Sequence, residues 1–217
     1  MSASTVDVAF TPAVKAFQER RGSRRAYARL EENGGWSSAV TPELEAFIAE
    51  RDSFYLATAN ASGQPYIQHR GGPRGFLRVL DGRTLGFADF RGNRQYITAG
   101  NLAENDRAFI FLMDYENRQR IKLWGRARLV EDDAALLARL TPDDYGARAE
   151  QAILFTIEAW DANCPKHIPK MYAEEEVERI VNGLQARITQ LEAQLAPASA
   201  AGDVAALPMR MITAPTG

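Results

Sequence analysis

Phe54-Tyr55-Leu56-Ala57-Thr58-Ala59-Asn60-Ala61-Ser62-Gly63-Gln64-Pro65-Tyr66-Ile67-Gln68-His69-Arg70 is the stretch that decides the fold. Its first six residues are apolar or small and read as a largely buried strand. Asn60 to Gly63 is a cluster of turn formers, and Pro65 to Arg70 reads as the hairpin partner. A hairpin at this point, with no helix between its strands, argues for antiparallel pairing from the start.

The same grammar continues downstream. Gly71-Gly72-Pro73-Arg74-Gly75 reads as a hinge-like loop. Phe76 to Leu80 and Thr84 to Ala88 read as two strands around the Asp81-Gly82 turn. Arg94 to Ala103 reads as a helix, Ala108 to Asp114 as a strand, and Gln119 to Val130 as a longer strand beyond the Glu116-Asn117 turn. Asp132 and Asp133 open a short helix, and Ala152 to Trp160 is the last strand. Six or seven short antiparallel strands with a few helices predict a mainly β, α+β fold, an antiparallel closed or split β-barrel with flanking helices.

Upstream of the hairpin, Thr11-Pro12 supplies an N-cap and a proline at the first helical position, opening a helix through about Arg20. Arg20, Arg21, Arg24, Arg25 and Arg29 read as an exposed arginine-rich helix face, and no site is assigned to them. Thr41-Pro42 opens a second helix through about Asp52, with Leu44, Phe47 and Ile48 on one face to cap the sheet. The expected organisation is a helical extension over 1–40, a barrel over 41–170, a helix over 171–196 and a flexible tail over 197–217.

That C-terminal helix carries a heptad pattern. Val177, Leu184 and Leu191 recur every seven residues, as do Val181, Ile188 and Leu195, and the two series interlock as d and a positions. Two readings stand: a short parallel coiled coil joining two subunits, or an amphipathic helix packed on its own barrel.

Composition bounds the function. The chain has 217 residues, 46% hydrophobic and 25% charged, which is ample for a buried core. A net charge of -2 gives no global field for nucleic acid or an anionic membrane. Any anionic ligand must be held by locally placed arginines. The single cysteine, Cys164, excludes an intramolecular disulfide framework and suits a reducing compartment. No run approaches the roughly 20 apolar residues that span a bilayer, and no secretory leader is visible, so a cytoplasmic setting is the expectation.

The order and spacing of Gly63-Gln64-Pro65-Tyr66, Gly92-Asn93-Arg94-Gln95 and Arg118-Gln119-Arg120-Ile121-Lys122-Leu123-Trp124-Gly125 resemble the FMN-binding split barrel of the pyridoxamine 5'-phosphate oxidase family. The resemblance covers roughly Glu50 to Trp160. It implies FMN as cofactor, held at the interface of a homodimer. Gln68, His69 and Arg70 occupy the strand that lines the flavin in that family. Where the family commonly has Ser-Arg-Lys for the FMN phosphate, this chain has Gly92-Asn93-Arg94, which keeps a cation only at the third place. A guanidinium fork meets a phosphate monoester bidentately, so Arg94 is the expected phosphate anchor, with Arg70 as a second charge. Arg120 falls where relatives place a glutamine against the flavin. Arg126 and Arg128 read instead as the polar face of an alternating strand.

Two departures bear on the substrate. Gln68 and Pro73 stand where the oxidase has an arginine and a phosphate-binding lysine. The oxidase's closing Trp-Arg-Leu and Arg-x-His are replaced by Trp160-Asp161-Ala162-Asn163-Cys164-Pro165-Lys166-His167. Vitamin B6 oxidation in the strict sense is therefore not expected. Cys164 and His167 lie close enough in sequence for a thiolate to be activated, yet no third orienting residue is evident. With Trp160, they read as flavin contacts. One cysteine and two distant histidines make no closed zinc set, so no metal is expected. The functional expectation is an FMN-dependent oxidoreductase acting on a small molecule, with a nicotinamide as candidate reductant. The alternatives are a non-catalytic flavin-binding sensor or binding module and, third, a heme-binding barrel that would use His69 or His167.

Overall fold

The computed structural model describes residues 4–143, 145–162 and 165–200. Seven strands form one sheet: β1 (Ser53–Ala59), β2 (Pro65–Gly71), β3 (Arg78–Val79), β4 (Thr84–Phe90), β5 (Arg107–Asp114), β6 (Gln119–Val130) and β7 (Ala149–Ala162). Their order is β2-β1-β5-β6-β7-β4-β3, and every pairing is antiparallel. The two ends of that order are not paired with each other, so hydrogen bonds do not close the sheet. Side chains curl it instead. Phe54 of β1 meets Phe87 of β4 edge to face at 5.1 Å, although three strands lie between them in the sheet. The result is the α+β split barrel expected from the strand pattern.

Period-2 alternation fixes which residues fill it. Leu56, Ile110, Leu112, Leu123, Phe155 and Ile157 are fully buried in one core. β6 and β7 form the longest ladder and kink together at a bulge between Trp124 and Gly125. The bulge lets Gly125 lie against β7 where no side chain would fit.

The described residues form six α-helices: α1 (Pro12–Arg20), α2 (Arg24–Glu32), α3 (Pro42–Ala49), α4 (Ile97–Glu104) and α5 (Ala134–Leu140), which share a compact unit with the sheet, and α6 (Glu174–Ala200), which does not. Thr11 and Thr41 cap α1 and α3 by accepting the amides of Val14 and Leu44, each at 3.3 Å, ahead of prolines at the first helical position. Asp133 caps α5 in the same way. The N-terminal extension lays an aromatic pile on the sheet: Trp36 stacks on Trp124 at 4.6 Å, and Phe10 packs on Trp36. The arginine-rich run is largely exposed, with Arg24 paired to Glu31 at 2.6 Å and Arg20 lying over Phe17.

Several boundaries differ from the sequence reading. α3 ends at Ala49 rather than Asp52, because β1 begins at Ser53 and needs the intervening residues to turn. The strand expected over Phe76 to Leu80 is reduced to Arg78–Val79. Gly75, at φ 74°, turns the chain so that Phe76 and Leu77 plug the core, with Phe76 stacked on Phe54 at 5.4 Å. The helix expected from Arg94 begins only at Ile97, since Arg94 and Tyr96 hold left-handed φ values of 62° and 54°. The chain divides into two compact units, Met1–Lys170 and Met171–Gly217. In the second, α6 runs past the expected end at Ala196 to Ala200. Residues 201–217, most of the expected tail, lie outside the described residues.

Asp114 shows how the barrel's rim is tied. Its carboxylate accepts the Asn117 amide at 2.8 Å and the Asn117 side-chain amide at 3.0 Å, and it pairs with Arg51 at 3.1 Å. Burial pushes the carboxyl up, but these donors and the guanidinium together outweigh it and hold it below the usual carboxylate range. A depressed folded pKa contributes stability above the unfolded value of about 3.9, and that stability is lost as pH falls through the folded value. Asp114→Asn is therefore expected to cost about 2 kcal/mol at pH 7, with the deficit shrinking below about pH 4. Urea unfolding of both proteins across pH 3 to 7 measures this; a deficit independent of pH would refute it.

Candidate functional site

β2 is an edge strand, so its core-facing side chains reach into the split rather than under a neighbour. The register pairs Tyr66, Gln68 and Arg70 with Thr58, Leu56 and Phe54, which places all three on the core side. Together with Asp89 and Phe90 of β4, the 92–96 loop and the first turn of α4, they line one pocket. Glu150 of β7 completes its rim.

Hydrogen bonds fasten this pocket to the barrel. The Thr98 hydroxyl donates to Gln68 at 3.0 Å, and Asn101 donates to Thr58 at 2.9 Å, which docks α4 on β1 and β2. Arg70 pairs with Asp89 across the split, and Gln151 donates to the second Asp89 oxygen at 2.9 Å. Arg70 is thereby neutralised, yet its buried Nε–H has no acceptor. Asn93 turns the loop by accepting the Gln95 amide at 3.2 Å. Arg94 donates from Nε to the Tyr96 hydroxyl at 3.1 Å and forms no ion pair among the described residues. Tyr96 caps α4 with no side-chain bond, so the helix begins at the pocket with its first-turn amides uncapped. An exposed guanidinium beside the positive end of a helix suits an anion.

Gln68, Arg70, Asn93 and Arg94 are thus brought together. His69 is not, because the strand pleat turns it to the other face, where its ring meets Tyr55 at 5.6 Å. That second face carries a row across five strands: His69, Tyr55, Phe111, Lys122 and Asp161 are successive register partners. Arg120 lies two residues from Lys122 on the same face, with its buried Nε unpartnered. Burial pushes the Lys122 amine down, aided by Arg120 and opposed by Asp161. Burial pushes the Asp161 carboxyl up against the pull of Lys122, which stands 4.0 Å away. Arg126 pairs with Asp106 and Glu158, each at 2.7 Å, and so serves the strand face as expected.

Trp160 packs against the core and donates its indole N–H to the Ala39 carbonyl at 2.9 Å. His167 is exposed in a turn at φ 64°. Cys164 lies outside the described residues. The sequence reading missed Asp89, Tyr96, Thr98 and Glu150. Asp89 alternates with the buried Leu85 and Phe87, and that inward placement of a carboxylate was the available signal.

Residues 40–177 match the sequence model described as pyridoxamine 5'-phosphate oxidase. No curated protein matches the chain. Among solved structures, HupZ of Group A Streptococcus is similar at 18% identity and TM-score 0.48, over 61% of this chain and 99% of that one. A putative pyridoxamine 5'-phosphate oxidase of Lactobacillus delbrueckii is similar at 20% identity and TM-score 0.44, over 58% and 95%. An FMN-binding protein of Syntrophomonas wolfei is similar at 12% identity and TM-score 0.45, over 67% and 97%.

Proposed function

The chain belongs to the pyridoxamine 5'-phosphate oxidase family, and on that premise we propose that it is an FMN-binding oxidoreductase whose cofactor occupies the pocket at the split. The observation that carries this reading is Arg94: an exposed guanidinium that forms no ion pair among the described residues, beside first-turn amides with no side-chain cap. These groups fit a phosphate monoester, which accepts several charge-assisted hydrogen bonds. The orphaned Nε–H of Arg70 offers a further donor. Asn93 shapes the loop that holds Arg94, and Gln68, fixed by Thr98, presents its amide N–H2 to the pocket.

When bound, FMN supplies transfer of hydride or single electrons between a donor and an acceptor. The chain's own residues bind, orient and shield. Arg94 and the α4 amides anchor the phosphate, while Asp89 keeps Arg70 from adding a full second charge. His69 and Arg120 stand on the opposite face of the sheet from the pocket, so within one chain they cannot touch the same ligand as Arg94. In this reading they serve the flavin of a second subunit in a homodimer, where the Lys122–Asp161 pair would supply an exchangeable proton. Cys164 and His167 keep their assignment as flavin contacts, whereas Trp160, the register partner of Leu123, lies on the core side and does not share that face.

The substrate is a small molecule other than a B6 phosphate. Gln68 is neutral and already bonded to Thr98, and Pro73 carries no charge, so the oxidase's substrate-phosphate cations are absent at those positions. A reduced nicotinamide in a cytoplasmic setting is the proposed electron donor. Purification without added cofactor, a visible spectrum and mass spectrometry of any released chromophore test the reading. Flavin absorption near about 370 and 450 nm with FMN released, and bleaching by NADH or NADPH, is the expected result. Tight FMN without turnover would move the protein to the binding-module class, and a colourless protein that refuses added FMN would overturn the reading.

A further inference from the structure

The apolar seam of α6 is not satisfied within its own helix. Val177, Val181, Leu184, Ile188, Leu191 and Leu195 are between 40% and 68% exposed. A soluble chain does not leave six regularly spaced aliphatic side chains in water without a surface to cover them. Their spacing says what kind of surface. They alternate every three and four residues, the a and d positions of three heptads, which suits the narrow seam of a helix pair better than the broad stripe of a helix lying on a sheet.

The charges flanking the seam decide the occupant and its direction. With Val181, Ile188 and Leu195 at a and Val177, Leu184 and Leu191 at d, Arg187 falls at g and Glu178 and Glu192 fall at e. In a parallel pair in register, g of one heptad faces e of the next heptad on the other helix. Arg187 then meets the partner's Glu192, and by symmetry the contact occurs twice. An antiparallel pair centred on the same seam opposes g with g and e with e, which sets Arg187 against the partner's Arg187 and Glu178 against the partner's Glu192. Like charges there are unfavourable. β-Branched residues at two a positions with leucine at two d positions select two strands. Arg187 donates to Gln190 within its own helix at 2.6 Å in an exposed position, so it can exchange that neutral contact for a carboxylate.

We propose that α6 pairs with α6 of a second copy of this chain as a parallel, in-register two-stranded coiled coil, with orientation set by Arg187 and the partner's Glu192. The pairing gives the protein a self-association element separate from the barrel. It does not depend on the flavin reading, and the FMN spectrum would be unaffected by its failure.

The test uses the full chain carrying Cys164→Ser, so that any disulfide reports only an introduced cysteine. Val177→Cys and Leu195→Cys are made separately, exposed to mild oxidant at micromolar concentration, and read by non-reducing gel. In a parallel pair in register both positions face their own copies within disulfide reach. Each variant is then expected to run mostly as a covalent dimer. In an antiparallel pair the two equivalent positions sit apart by about 27 Å, given 18 residues at 1.5 Å each. Neither variant would then self-link, whereas an equimolar mixture of the two would, and that result overturns the proposal. Absence of covalent dimer in both variants and in the mixture also overturns it, and assigns the seam to the chain's own barrel. The charge rule has its own readout. Adding Arg187→Glu to either cysteine variant is expected to lower the dimer fraction at least fivefold, and adding Glu192→Arg as well is expected to restore it. Equal cross-linking in all of these charge variants would overturn the assignment of orientation to this pair.

Discussion

Gly125→Ala is expected to cost about 4 kcal/mol or more, enough to leave a domain of ordinary stability largely unfolded or insoluble. A Cβ added at Gly125 would stand 2.1 Å from the Thr156 carbonyl oxygen and 2.8 Å from the Phe155 ring. The carbonyl belongs to β7, which is held between β6 and β4 and cannot yield without breaking both ladders. Phe155 is fully buried at the centre of the core, so the ring has nowhere to retreat. The bulge beside Gly125 is thus where the longest hairpin bends, and only a residue without a side chain permits the approach. Gly100→Ala is the matched control, since a Cβ there meets nothing within 4 Å and the position lies in α4. That change is expected to be neutral or to stabilise by up to about 1 kcal/mol. Urea unfolding of the three proteins measures the contrast; a Gly125→Ala midpoint close to wild type would refute the packing account.

Asp89→Ala is expected to cost about 3 to 5 kcal/mol, because it strands a charge rather than merely deleting a contact. The Arg70 and Asp89 side chains are 12% and 16% exposed, and Arg70 sits on the core side of an edge strand, paired with no other carboxylate among the described residues. Gln151, 8% exposed, loses its acceptor at the same time. The pair spans the split that hydrogen bonds leave open, so its loss loosens the one side of the barrel that lacks a ladder. Replacing both partners, as Arg70→Met with Asp89→Leu, is expected to recover most of the loss, since apolar pairs of similar volume commonly match a buried ion pair. Chemical denaturation of the single and double variants gives the answer. A single-variant loss under about 1 kcal/mol would mean that water reaches Arg70 and that the pair does not bridge the split.

Much of this architecture is written locally. Alternation in Phe54 to Ala59 and Gln119 to Val130 places these strands within a residue or two, and the capping signals at Thr11-Pro12 and Thr41-Pro42 place the starts of their helices. What the local pattern does not carry is set by distant partners. Phe76 and Leu77 have strand-like side chains, but Phe54 and the core draw them inward as a plug. Arg94-Gln95-Tyr96 has helical propensity, yet the loop that crosses the pocket holds two of these residues left-handed. The pocket itself was partly legible. Gln68, Arg70, Asn93 and Arg94 converge, while the pleat separates His69 from its neighbours by turning it through the sheet. Asp89 went unnoticed because its meaning lies in Arg70, 19 residues away and across the split.

FMN affinity of Arg94→Ala relative to wild type, measured by quenching of flavin fluorescence, tests the central claim most directly. Removing one charge-assisted phosphate contact is worth about 1.5 to 3 kcal/mol, so the dissociation constant should rise roughly 10- to 150-fold. Arg94 is exposed and forms no ion pair among the described residues, so the fold should be unaffected and the change can be read as binding alone. A wild-type protein that binds FMN and an Arg94→Ala variant that binds it equally well would contradict the placement of the phosphate at the split.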